Sequence, residues 1–163
     1  MLCKWSCNML KAMLIAAILS SSFITVGKGE ISWLFWTAYE AELSAPEGKY
    51  NPAKPFALEL TYKMDFTGEE IAERSVEEVR KQESATEEEL AKWGTRMREI
   101  FPDVVEGDKI KGLKTEDNKS VFFHNGENIG QIDDPKFTKA FFDIWLSEKT
   151  TEPELREALL AGQ

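Results

Sequence analysis

One stretch near the C-terminus, Asp133 to Leu160 (DDPKFTKAFFDIWLSEKTTEPELREALL), constrains the fold most. Phe137, Ala140, Phe141, Ile144 and Trp145 recur there at i, i+3, i+4, i+7 and i+8. That spacing predicts a helix with all five on one face. Asp134 followed by Pro135 supplies a side-chain cap and then a proline whose missing N–H costs nothing at the first helical position. Phe142 and Leu146 widen the apolar stripe beyond the needs of a surface helix. A helix this apolar must be covered by a sheet or by other helices.

The upstream chain supplies that cover. Trp33 to Leu43 (WLFWTAYEAEL) predicts a strand with Trp33, Phe35, Thr37, Tyr39, Ala41 and Leu43 on one side. Leu34 and Trp36 make its first half apolar on both faces, as in a strand covered on both sides. Before it, Phe23 to Val26 is short and β-branched, and Gly27 and Gly29 punctuate it. Ala45 to Pro55 reads as a loop from its prolines and glycine. Phe56 to Met64 alternates, with Phe56, Leu58, Leu60, Tyr62 and Met64 inward. Thr67 with Glu70 and Thr86 with Glu89 are capping boxes that open two helices. Pro102 stops the second. Strands follow at Lys109–Thr115, Ser120–His124 and Glu127–Ile132, the last two joined by Asn125-Gly126, a strong hairpin signal. A third capping box, Thr151 with Glu154, opens the last helix. Strands and helices arrive in blocks, which predicts an α+β fold with an antiparallel sheet and helices on one face.

At the N-terminus, Lys4 and Lys11 flank a short apolar run, Ala12 to Leu19, and Ser20 to Ser22 follow. This is the pattern of a secretory signal over residues 1–22, leaving a domain over 23–163 and a periplasmic or secreted protein. The alternative is an uncleaved membrane anchor over residues 12–26. The net charge of −9 excludes nucleic acid as a partner and disfavours anionic membrane surfaces. Both cysteines, Cys3 and Cys7, lie at the extreme N-terminus, so neither a disulfide framework nor a cysteine-based metal site is expected downstream.

Catalytic motifs are missing: there is no phosphate-binding glycine loop, nucleophile elbow or HExxH. The single histidine, His124, falls opposite Glu127 beside the hairpin turn and reads as a surface polar pair. Glu69, Glu70, Glu73, Glu77 and Glu78, then Glu87 to Glu89, read as solvated helix faces. No metal or cofactor is expected.

Several long segments resemble the chalcone isomerase-like superfamily, in the right order. They are Trp33 to Leu43, FALELTYKMDFTGEEIAERSVEEVRKQ, Phe101-Pro102-Asp103, and IGQIDDPKFTKAFFDIWLSEKTTEPELREALLAG. The resemblance is greatest to the bacterial exported members. It implies an open-faced β-sandwich, a large antiparallel sheet with layered helices. Plant members of the superfamily close a flavanone ring by adding a phenolate to an enone. They hold the substrate with an early-strand arginine, a threonine on the next strand and polar groups on the helices. Related plastid proteins bind fatty acids in the equivalent cleft.

Carried over residue by residue, Thr37 matches the strand threonine. The arginine would fall within Gly27 to Ser32 (GKGEIS), which offers only Lys28, and the helix polar residue falls at Ile144. The resemblance therefore implies a noncatalytic domain that binds a small apolar or amphipathic molecule, such as a fatty acid. Thr37, Tyr39, Phe141 and Ile144 are the candidate ligand-binding residues, in a cleft lined by aromatics with few polar groups. An intramolecular lyase or isomerase with a rearranged site, and an adaptor with a protein partner, are the alternatives.

Overall fold

The computed structural model describes residues 22–33 and 35–163. The signal or anchor segment up to residue 21 lies outside the described residues. Among them, six strands form one antiparallel sheet in chain order: β1 (Phe23–Trp33), β2 (Trp36–Pro46), β3 (Phe56–Tyr62), β4 (Lys109–Lys114), β5 (Ser120–His124) and β6 (Glu127–Ile132). Helices α1 (Gly68–Lys81) and α2 (Glu87–Ile100) interrupt the meander between β3 and β4. Helices α3 (Pro135–Leu146) and α4 (Pro153–Leu159) follow it. No described helix is long and apolar enough to cross a membrane.

The capping boxes at Thr67 and Thr86 form in full, each hydroxyl accepting from the third helical N–H while the glutamate accepts from the cap's own N–H. Asp134 caps α3 by accepting from the N–H groups of Lys136 and Phe137, and its other oxygen accepts from Trp93 Nε1 at 2.9 Å. One carboxylate thus starts α3 and ties it to α2. Seven apolar residues of α3, from Phe137 to Leu146, are buried against the sheet. Phe141 stacks on Phe137 at 5.4 Å and meets Phe122 of β5 edge-on at 5.2 Å. Such contacts add to the area buried. The hydroxyls of Ser120 and Thr138 meet at 2.8 Å inside this core. Asn125 and Gly126 take φ of 48° and 86°, the left-handed pair that a tight hairpin requires.

The opposite face of the sheet is charged. Lys28 meets Glu42 at 2.9 Å, and Glu59 receives both Lys109 (3.0 Å) and Lys111 (3.1 Å). Among the described residues, helices cover one face only.

Four expectations are corrected. The segment Trp33 to Leu43 is not one strand: Trp33 pairs with Trp36, so the chain reverses there and Phe35 is 96% exposed. Phe23 to Trp33 forms a full-length strand despite its glycines. A Cβ at Gly27 would lie 2.2 Å from the carbonyl oxygen of Ala158, so α4 packs directly on the β1 backbone there. Phe23 to Val26 are the first four residues of that strand. Met64 lies past the end of β3 and is exposed. The third capping box does not form. Pro153 takes the first turn, Glu152 becomes the cap residue without a side-chain bond, and the Thr151 hydroxyl donates to Glu78 Oε2 at 2.6 Å instead.

Candidate ligand cleft

A cavity of about 310 Å³ lies between the helix-covered face of β1–β4 and helices α1 and α3. Its strand wall includes Ile31, Tyr39, Leu60 and Tyr62, and its helix wall Ile71, Phe141, Ile144 and Trp145. Strand alternation sends Tyr39 to the helix side along with Ala41 and Leu43, while Glu40 and Glu42 go to the open face. The helical repeat does the same for Phe141, Ile144 and Trp145.

Tyr39, Phe141 and Ile144 thus line one cavity. Thr37 does not. It is the second residue of β2, close to the hairpin reversal, and its hydroxyl lies 3.3 Å from that of Ser32. Lys28, the sole cation of the GKGEIS segment, points to the open face, where Glu42 holds it. His124 lies away from the cavity, 3.3 Å from Asp108.

Two hydroxyls interrupt the apolar walls. Trp145 Nε1 donates to the Tyr39 hydroxyl oxygen at 3.0 Å, which leaves the Tyr39 O–H available as a donor. Burial pushes the Tyr39 phenol up to about 12, with the Trp145 bond opposing, so it stays protonated. Tyr62 is 4% exposed, and its hydroxyl makes no hydrogen bond among the described residues. Burial raises its pKa further still. The cavity therefore offers two neutral phenolic donors set among hydrocarbon, and a hydrogen-bond acceptor on a ligand would satisfy them.

The rim carries charge. Glu70, Arg74 and Glu78 come from α1, and Thr151 and Glu152 from the segment before α4. Glu78 is 6% exposed and binds Arg74 (2.9 Å), Lys81 (2.9 Å) and Thr151 (2.6 Å). Burial opposes its ionisation, but the Thr151 hydroxyl, Lys81 and Arg74 together outweigh burial and hold its carboxyl below the usual range. The expectation of a solvated face thus fails at Glu78. The signal was present: Ala72, Ser75, Glu78 and Val79 follow i, i+3, i+6, i+7, within the buried stripe of α1. Arg74, four residues before Glu78, is half-exposed beside the same stripe and was also missed. Among the described residues no cluster of metal-ligating side chains occurs.

A sequence model described as chalcone isomerase-like matches residues 35–161, most of the chain. The chain belongs to the chalcone isomerase-like family. Among curated proteins it is 25% identical over 136 residues to an uncharacterised protein of Haemophilus influenzae. That match covers 83% of this chain and 66% of the relative, so the chain spans just under two thirds of the relative's length. Among solved structures, a fatty-acid binding protein of Arabidopsis thaliana superposes with a TM-score of 0.65 at 14% identity, covering 87% of this chain and 88% of the other. The likeness establishes a shared fold: the open-faced antiparallel sheet with its helix layer.

Proposed function

We propose that this family member binds one small amphipathic molecule of the fatty-acid class in the cleft and does not transform it. The observation that carries this reading is an apolar cavity with the phenols of Tyr39 and Tyr62 in its wall, the Tyr62 hydroxyl making no hydrogen bond to the described residues. A volume of about 310 Å³ falls at the lower end of ligand pockets, roughly 300–1,000 Å³. An acyl chain would be held by burial, at about 25 cal/mol per Å² of apolar area. Its head oxygen would accept from Tyr62 and Tyr39. The fatty-acid binding described for the Arabidopsis protein supports the ligand class. The noncatalytic part rests on charge. Ring closure on an enone develops an oxyanion that placed donors or a cation must stabilise; here Lys28 faces away from the cleft and Arg74 is paired with Glu78, so only neutral phenols remain in the wall.

The test is calorimetric titration with saturated fatty acids of increasing length, on wild type and Tyr62→Phe. Loss of one hydrogen bond to a ligand oxygen predicts a fall in affinity of about tenfold, from roughly 1–1.5 kcal/mol. The variant without ligand keeps its stability. Failure of every chain length at high micromolar concentration would remove the cleft reading and favour a protein partner.

We also propose that the protein is exported and cut near Ser20 to Ser22. The start of β1 at Phe23 supports this reading, because a membrane helix reaching Val26 would have to unpair the first four residues of that strand. Intact-mass measurement on the exported protein tests it: retention of Met1 to Leu19 would favour the anchor.

A further inference from the structure

The β1–β2 hairpin tip has no role in the cleft, yet it is the most exposed apolar feature among the described residues. Phe35 is 96% and Trp36 72% exposed. Two more exposed apolar side chains lie at the same end of the sheet. Lys63 N–H donates to the Ala38 carbonyl at 2.9 Å, which brings Met64 beside β2. Gly107 N–H donates to the Tyr62 carbonyl at 2.8 Å, which brings Val105 to the end of β3.

From Ile31 to Tyr39 the sequence carries no charge. Side chains along the hairpin are graded. Aromatics stand at the tip, the paired hydroxyls of Ser32 and Thr37 form a collar, and Glu30 and Glu40 come next. At about 3.3 Å per residue, the collar lies roughly 7 Å and the first charges roughly 13–15 Å behind the tip. A side chain set that enters an interface by about 5–10 Å would place aromatics at the acyl boundary, hydroxyls among headgroups and charges in water.

We propose that this tip docks on the interfacial layer of a lipid bilayer with electrically neutral headgroups. The charge around it selects that surface. Asp65, Glu106 and Asp108 stand at the same end against Lys63 and Lys109, and Lys63 is already paired with Glu40 at 3.0 Å. The chain as a whole carries −9, so anionic lipid would repel it. Ile31, Ala38 and Tyr39 line the cleft immediately behind the collar. A docked tip would therefore bring the cleft to the headgroup layer, where an acyl ligand resides.

The experiment uses the full chain with Cys3→Ser and Cys7→Ser, and a nitroxide at Phe35→Cys or, at the opposite end of the sheet, Lys49→Cys. With phosphatidylcholine vesicles, the label at 35 should gain collisions with oxygen and lose collisions with a water-soluble nickel chelate. The label at 49 should not change. Because the readout is positional, membrane binding by the N-terminal segment does not imitate it. Adding phosphatidylglycerol should weaken the signal, and Trp36→Ser should reduce it severalfold. The proposal is overturned if position 35 stays as water-accessible as 49. It is also overturned if 35 is shielded before vesicles are added, which would mean pairing of two copies, or if phosphatidylglycerol strengthens the signal. Failure of the cleft reading would show only in the fatty-acid titration and would leave these outcomes unchanged.

Discussion

Ile144 and Phe137 sit two turns apart on the same face of α3, but only Ile144 borders the cleft, and truncating each should have different consequences. Phe137 is 1% exposed, with Trp93, Phe122 and Phe141 rings around it. Phe137→Ala should leave a new cavity and cost about 3–5 kcal/mol. Ile144→Ala removes three carbons, worth about 2.4 kcal/mol at roughly 0.8 kcal/mol each. Alanine returns about 0.4 kcal/mol through its higher helix propensity. No new void has to be opened, because the space in front of Ile144 already exists, so the expected loss is about 2 kcal/mol. Urea titration should show this difference at unchanged slope. The enlarged cleft should accept an acyl chain two or three carbons longer, each methylene contributing roughly fourfold in Kd. Calorimetry over a series of chain lengths reads that shift. If Ile144→Ala costs as much as Phe137→Ala and chain-length preference does not move, Ile144 is solid core and the cavity argument fails.

The Ser120–Thr138 pair gives a second test. Ser120→Ala orphans the Thr138 hydroxyl and should cost about 1–3 kcal/mol, whereas adding Thr138→Val should recover most of the loss in urea unfolding. Glu78→Gln should destabilise by about 1–3 kcal/mol at neutral pH, by weakening hydrogen bonds to a charged group. The folded pKa of Glu78 is depressed, so the wild-type advantage is complete above the ordinary carboxylate range and disappears as pH falls through the lower folded value. Thermal unfolding at neutral and strongly acid pH measures both limits, and a gap that persists in acid would refute the charge assignment. Naringenin chalcone should cyclise no faster with the protein than without it. An absorbance decay above background that is lost in Thr37→Ala would reverse that expectation.

Much of the fold is legible where local and tertiary signals agree. The α3 stripe, two capping boxes and the Asn125-Gly126 turn each state their conformation within a few residues, and each forms. The first hairpin is harder. Its reversal between Trp33 and Trp36 contains no glycine, proline or asparagine, so strand alternation reads straight through it. Gly27 and Gly29 mislead in the opposite direction. They look like breaks, but they are places where a helix distant in sequence touches the strand. Thr151 shows the third kind of failure. Its box spacing is correct, but Pro153 and a partner on another helix take it elsewhere.

The cleft divides along the same line. Tyr39, Phe141 and Ile144 follow from periodicity, because one face of a strand and one face of a helix must meet. The rim does not, because Glu78 stands among glutamates that differ from it only in helical phase. That phase decides its chemistry. At Glu77 a carboxylate stays in water, whereas one residue on it reaches Thr151 and links α1 to the segment that leads into α4. Arg74 is drawn to the same carboxylate. The guanidinium at the cleft mouth is therefore positioned by Glu78, and no strand residue supplies it. The cation beside the cleft thus comes from the helix layer, while Lys28 of the sheet faces the open side. Its place at the rim rather than in the wall is what keeps the interior hydrocarbon-like, with phenol hydroxyls as its donors.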